Sequence, residues 1–253
     1  MDARERRGAH RALKRQVSLP LLPPASVRGR LLRRYKRFLA DVETDAGKKL
    51  TVHCPDPGSM RGCLREGAAV RCSLSPNPNR KLSHTLEMIR VGRCWVGVNT
   101  GRANHAVARV LAAGAVPELA GYATIEREVR TGARSRIDFR LVAHPKDPRP
   151  LWLEVKSVTL AAGSTALFPD SVTERGRRHL EELMRLRREG LRAALLFLVQ
   201  RADCSAVAPA DEIDPAYGET LRAAARAGVE IFALGARVTA RAIRVERQLP
   251  VWL

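Results

Sequence analysis

Aromatic residues are scarce in this chain, with three Trp, three Tyr and five Phe among 253 residues. That is few for the ring platforms on which carbohydrate-binding and base-stacking proteins rely. The five cysteines, Cys54, Cys63, Cys72, Cys94 and Cys204, include no Cys-x-x-Cys pair and leave one over from any full pairing. This spacing speaks against a zinc site or a disulfide framework and fits reduced thiols in a cytoplasm. No apolar run approaches the length of a membrane span, and the basic start, residues 4–15, lacks the hydrophobic stretch of a signal peptide. Acidic residues are short as well: 26 Asp+Glu face 45 Lys+Arg, a formal charge of +19. Such a surplus favours polyanionic partners, nucleic acid above all, through neutralised phosphates and released counterions.

What is present falls into two parts, as the length allows. Residues 1–25 read as a basic arm without regular structure. Residues 26–98 read as short strands (27–35, 38–44, 50–53, 69–74, 84–91 and 94–98) punctuated by Gly and Pro, the pattern of a small barrel. Residues 99–253 read as an α/β unit. Helices are expected at 103–113, 174–189 and 215–227, and strands at 124–129, 135–142, 151–159, 193–200 and 229–234. Gly190 and Gly228 supply the stops of the last two helices.

The chemistry concentrates on two of those strands. Asp138 lies in Ser-Arg-Ile-Asp-Phe, and Glu154, sixteen residues on, in Leu-Trp-Leu-Glu-Val-Lys-Ser. Because side chains alternate along a strand, Glu154 and Lys156 share a face, and the turn-rich stretch 143–150 lets the strands pair so that Asp138 comes beside Glu154. A hard cation such as Mg²⁺ or Mn²⁺ takes oxygen ligands, which Asp138 and Glu154 can supply. Lys156 is then placed to orient an attacking water or offset charge on a phosphate. The spacing alone recurs by chance in many proteins. Its weight comes from the setting, since charged groups on apolar strands are costly unless paired or ligated.

The following helix carries an apolar stripe, Leu180, Leu183, Met184 and Leu186, with arginines on the remaining faces. Arg175, near its start, and Arg136, beside Asp138, are candidate phosphate contacts. Asp170 and Glu174 are candidates to add a ligand, and with His179 to steady the metal-holding pair. Glu174 serves equally to complement the helix dipole, and a lone His serves equally as a structural residue. Upstream, Gly58-Ser59 reads either as an anion nest or as a tight turn.

These segments resemble the sugar fermentation stimulation protein A (SfsA) family. The resemblance runs from about Arg37 to the carboxyl terminus and is carried in order by Arg37-Phe38-Leu39-Ala40-Asp41-Val42, His53-Cys54-Pro55-Asp56-Pro57-Gly58-Ser59-Met60, Asn77-Pro78-Asn79-Arg80-Lys81-Leu82, Val96-Gly97-Val98-Asn99-Thr100, the Asp138 and Glu154 motifs, Phe168-Pro169-Asp170-Ser171-Val172-Thr173-Glu174-Arg175-Gly176 and Pro209-Ala210-Asp211-Glu212-Ile213-Asp214-Pro215. It implies an α/β protein with an amino-terminal oligonucleotide/oligosaccharide-binding (OB) barrel followed by a restriction-endonuclease-like PD-(D/E)xK domain. It adds Arg80 and Lys81 as nucleic-acid contacts and implies no specific protein partner.

Two functional classes follow. One is a Mg²⁺- or Mn²⁺-dependent nuclease; the other is a non-catalytic DNA-binding regulator of sugar-metabolism genes. A third, a sugar-binding protein, rests on the family name alone. The chain departs from the family pattern at Asp56 and Pro57, where Asn-Thr is usual, and at His84-Thr85-Leu86-Glu87, where Tyr-Thr-Trp-Glu is common. On the helix after Asn104, where the family often carries a Glu, the alignment places Arg109.

Overall fold

The computed structural model of the chain describes residues 12–132 and 136–253. In chain order the strands and helices are β1 (Ala12–Pro20), β2 (Val27–Tyr35), β3 (Leu39–Thr44), β4 (Lys49–His53), β5 (Ala69–Leu74), β6 (His84–Val91), β7 (Cys94–Gly97), α1 (Gly101–Ala112), β8 (Thr124–Arg130), β9 (Arg136–Val142), β10 (Leu151–Val158), β11 (Leu160–Ala162), β12 (Thr165–Phe168), α2 (Glu174–Arg188), β13 (Arg192–Val199), β14 (Ala206–Pro209), α3 (Pro215–Arg226), β15 (Glu230–Val238) and β16 (Ala242–Gln248).

Strands β2 to β6 close into a five-stranded barrel. β2 pairs with both β3 and β5, β4 follows β3, β6 follows β5, and a parallel bridge from His53 to Thr85 joins β4 to β6. Closure removes sheet edges that would otherwise have to be protected. Alternate residues point inward, so Leu31, Ala40, Val42, Val52, Val70, Cys72, Leu86 and Ile89 fill the interior with Met60 and Cys63. Leu86, which stands where the family often has Trp, is therefore a core residue, and an aromatic at this position would not offer a face to a base.

The second part is a seven-stranded sheet in the order β1-β16-β15-β13-β10-β9-β8. Its centre, β10-β13-β15, is parallel and its flanks are antiparallel. β13 reads Arg-Ala-Ala-Leu-Leu-Phe-Leu-Val and is buried from its second residue onward, as a central strand covered on both faces must be. α1 covers one face with Ala103, Ala106, Val107, Val110 and Leu111. α2 and α3 cover the other through Leu180, Leu183, Leu186, Tyr217 and Leu221. Each fully buried Leu or Val contributes about 1.5–3 kcal/mol by leaving water, so two such layers hold the sheet firmly. Thr173 caps α2 by accepting from Gly176 N–H at 3.0 Å, and Asp214 caps α3 by accepting from Tyr217 N–H at 3.0 Å. Gly190 and Gly228 end the helices with φ of 82° and 85°, conformations that a Cβ would strain.

One expectation is overturned. The basic arm assigned to residues 1–25 is, from residue 12 on, an edge strand of the second sheet. Val17 pairs with Val245 and Leu19 with Ile243, after which Leu21 and Ala25 are buried beside residues 240–241. A strand at a sheet edge needs only one apolar face, and Lys14 and Arg15 can stay in water while blunting further pairing. Residues 1–11 of the arm, and Ser135 of the expected strand at 135–142, lie outside the described residues. Four further strands, β11, β12, β14 and β16, were not expected from the sequence.

Candidate active site

The ladder between β9 and β10 is antiparallel and runs through Leu151↔Leu141, Trp152↔Arg140 and Leu153↔Phe139, where it stops. β10 continues along β13 on its other side, with Glu154 opposite Leu195 and Lys156 opposite Phe197. The Val155 N–H, left without a ladder partner, donates to Asp138 Oδ2 at 2.8 Å. Asn104 Nδ2 on α1 donates to Asp138 Oδ1 at 2.6 Å. The end of the ladder thus fixes this carboxylate at the splay between two strands.

Glu154 is 3% exposed. Its Oε1 accepts from Lys156 Nζ at 2.6 Å and is also in contact with His179 Nδ1. Arg175 Nε donates to His179 Nε2 at 3.3 Å. A guanidinium can only donate, so in the neutral ring Nε2 accepts and the proton on Nδ1 points at Glu154. Both donors converge on Oε1, whereas Oε2 is buried with no hydrogen-bond partner.

The two carboxylates differ electrostatically. Burial and then the charge of Glu154 push Asp138 up to about 6, against the Val155 N–H, Lys156 and Asn104. Burial also opposes ionisation of Glu154, but Lys156 and His179 outweigh it and hold that carboxyl below its ordinary value. A desolvated acid beside a carboxylate with an orphaned oxygen fits a hard cation, which would satisfy Oε2 and relieve the repulsion. Among the described residues no group of three or more His, Cys, Asp or Glu gathers as a metal cage. Asp138 and Glu154 are thus the two side chains that could hold such an ion, with water and phosphate oxygens completing its shell.

Two grooves reach this cluster. The larger, about 1130 Å³, is lined by Arg130, Arg136, Arg175, Arg178, Arg185 and Arg188, with Glu181, Glu182 and His179. The second, about 470 Å³, lies between barrel and sheet and includes Arg37, Asp56, Gly58, Thr100, Lys156, Ser157, Asp170, Val172 and Arg175. Arg175 lines both. Asp138 and Glu154 line neither, but Lys156 and His179, which touch Glu154, each open onto one.

The residues singled out from the sequence therefore separate. Asp138, Glu154, Lys156 and His179 meet; Arg136 and Arg175 face the arginine groove with His179. Arg80 donates to Thr85 Oγ1 on the barrel at 2.8 Å, Lys81 is exposed, and neither lines these grooves. Glu174 points to solvent and approaches Arg178 at 3.8 Å, so its role is at the helix start rather than at the carboxylate pair.

Asp170 clasps the barrel to the sheet. Its Oδ2 accepts from Met60 N–H at 2.7 Å, its carbonyl accepts from Ser59 Oγ, and a Cβ on Gly58 would stand 2.4 Å from its Oδ1. The Gly58-Ser59 segment is accordingly a turn and not an open anion nest. Gly58 N–H donates to Asp56 Oδ1 at 2.8 Å, and Arg34 donates to the carbonyls of Asp56 and Gly58 at 2.8 and 2.9 Å.

Asn104 was not anticipated, because one polar residue on an amphipathic helix carries no signal until the fold shows what it faces. Arg109, by contrast, lies away from the carboxylates. Its Nη1 donates to the Ser18 carbonyl on β1 at 3.3 Å, and Asn104 is the α1 residue that meets Asp138.

Comparison with known proteins agrees with this architecture. The family model described as SfsA N-terminal OB domain matches residues 32–98, and that described as sugar fermentation stimulation protein RE domain matches residues 101–242. The chain belongs to the SfsA family. A sugar fermentation stimulation protein homolog of Geobacter sulfurreducens is 52% identical over 231 residues, covering 91% of this chain and 98% of the relative. A homolog of Pseudomonas paraeruginosa is 52% identical over 234 residues, with the same coverage. Among solved structures, Pyrococcus furiosus SfsA in complex with Ca²⁺ matches with a TM-score of 0.81 at 28% identity, covering 90% of this chain and 96% of that one. No helix among the described residues of this SfsA-family chain is long and apolar enough to cross a membrane.

Proposed function

We propose that this protein is a DNA-binding, divalent-metal-dependent nuclease that hydrolyses phosphodiester bonds, with Asp138 and Glu154 as metal ligands and Lys156 as the catalytic cation. The observation that carries this reading is the buried, unpartnered Oε2 of Glu154 beside Asp138, with Lys156 Nζ at 2.6 Å from the opposite oxygen. A buried acceptor without a donor costs about 1–3 kcal/mol, which a bound cation would offset. A Mg²⁺ or Mn²⁺ ion held there would supply Lewis acidity toward a phosphodiester oxygen. The Ca²⁺ named for the Pyrococcus furiosus relative is likewise a hard, oxygen-seeking cation, which supports a divalent ion in the family.

The chain's own groups do the rest. Lys156 opens onto the groove, where its ammonium can offset charge developing on a phosphate or orient water toward it. His179 and Lys156 hold Oε1, so Glu154 turns its other oxygen to the ligand. Arg136 and Arg175 can neutralise flanking phosphates. Five unpaired thiols fit a reducing cytoplasm. The second reading, a regulator that binds DNA without cutting it, is favoured by the arginine groove and the +19 charge, which act without metal.

Incubating the protein with DNA in EDTA, Mg²⁺ or Mn²⁺, alongside Glu154→Gln and Lys156→Ala, separates the two. Metal-dependent cleavage lost in both variants is the expected result. Salt-sensitive binding with no cut in either metal would leave only the regulator.

A further inference from the structure

We infer that Phe38, presented by the β2–β3 turn next to Arg37, which lines the groove that Lys156 enters, is a stacking platform for an unpaired base, which makes single-stranded nucleic acid the preferred ligand. This inference rests on the nucleic-acid reading above and names the form of that ligand. Of the eleven aromatic side chains, ten are buried or half-buried in the fold. Phe38 alone is exposed, at 42%. Its backbone is part of the barrel, since its carbonyl accepts from Cys54 N–H at 2.9 Å, and so the ring stands outward from a fixed base.

The turn is held in an unusual shape. Lys36 and Arg37 both adopt left-handed backbone conformations, with φ of 46° and 63°, which non-glycine residues rarely do in succession. Strain of this kind gathers where a side chain must be aimed. Here it is sustained by Arg37 Nε donating to the Pro57 carbonyl at 2.8 Å. The same Arg37 lines the groove between barrel and sheet, and its guanidinium lies 6.0 Å from the centre of the Phe38 ring. The His53 ring lies 6.4 Å away at a 30° tilt. Burial and the nearby Arg80 charge lower the His53 pKa, so that ring is neutral at pH 7, as suits an apolar neighbour to a base. An exposed apolar residue, Val172, stands on the sheet side of the groove.

A strand whose phosphates run past Arg37, Lys156 and Arg175 can turn a base out onto Phe38. In a duplex both faces of each base are already stacked, so a flat platform beside a phosphate track rewards only unpaired or frayed nucleotides.

The test uses the full chain in EDTA, where cleavage plays no part. Fluorescence anisotropy compares a labelled single strand of about 12 nucleotides, within the usual site size of such barrels, with the blunt duplex it forms with its complement. The single strand should bind more tightly. Phe38→Leu, which keeps an apolar side chain but loses the flat ring, should weaken single-strand binding on the order of ten-fold and leave duplex binding unchanged, while Phe38→Trp should retain it. Equal loss for both ligands, no loss in Phe38→Leu, or duplex preference in the parent protein would overturn the platform while leaving nucleic-acid binding in place. No binding of either ligand would overturn the nucleic-acid reading and this inference with it.

Discussion

Replacing Asp56 by Asn should stabilise the protein, and by an amount that depends on pH in a defined way. Asp56 is buried in the loop that joins barrel to sheet, where burial first, and then the charge of Asp170, push its carboxyl from 3.8 to about 6 despite the Gly58 N–H and Arg34. For an acid with a raised folded-state pKa, the penalty is absent below the unfolded value, where both states are protonated. It grows as pH rises through the interval and is complete above about 6, where the folded state must hold the charge. A displacement of about two pH units corresponds to about 3 kcal/mol. Asn keeps an oxygen to accept the Gly58 N–H but carries no charge for Asp170 to oppose. Urea unfolding at pH 8 should therefore show Asp56→Asn more stable by about 3 kcal/mol, and melting should rise on the order of 5–10 °C for a chain of this size. At pH 3 the two proteins should unfold alike. A variant no more stable at pH 8, or one whose advantage persists at pH 3, would refute the reasoning by showing that the carboxylate is well solvated or that its charge is used.

Two other outcomes follow from the carboxylate cluster. Asp138→Asn in EDTA should likewise gain about 3 kcal/mol at pH 8 and nothing at pH 3, because burial and Glu154 raise the Asp138 carboxyl to about 6; a loss of stability at pH 8 would show a structural ion pair instead. His179→Ala should weaken Mn²⁺ binding about 10- to 100-fold by titration calorimetry, since Glu154 Oε1 would lose a donor and its carboxylate could rotate; unchanged affinity would show that Lys156 alone orients it.

The site was legible where chemistry follows strand parity, and illegible where it depends on packing between distant segments. Asp138, Glu154 and Lys156 could be brought together on paper because alternation and one turn suffice. His179 could be named as a residue to steady the pair but not told apart from Asp170 and Glu174, since its contact with Glu154 depends on how α2 lies across β10. Asn104 was invisible for the same reason, and an alignment-based choice landed on Arg109, which faces β1. The barrel strands announced themselves by alternating apolar residues between Gly and Pro turns. β1 did not, because its sequence Ala-Leu-Lys-Arg-Gln-Val-Ser-Leu-Pro buries only Val17 and its partner β16 lies more than two hundred residues away. The sequence marked Asp56 only as a departure from the family pattern, and its burial shows once Asp170 and Arg34 are seen to clasp the loop.

The pairing of β1 with β16 means that the two halves of the molecule are not consecutive along the polypeptide. From β1 in the second layer the chain leaves to wind the barrel and then returns. Cutting at the apparent boundary near residue 99 would deprive the carboxyl-terminal piece of its outermost strand and bare the hydrogen-bonding rim of β16, an invitation to self-association. During synthesis β1 emerges well before its partner β16 and cannot form this ladder until β16 is made, so this pairing forms late.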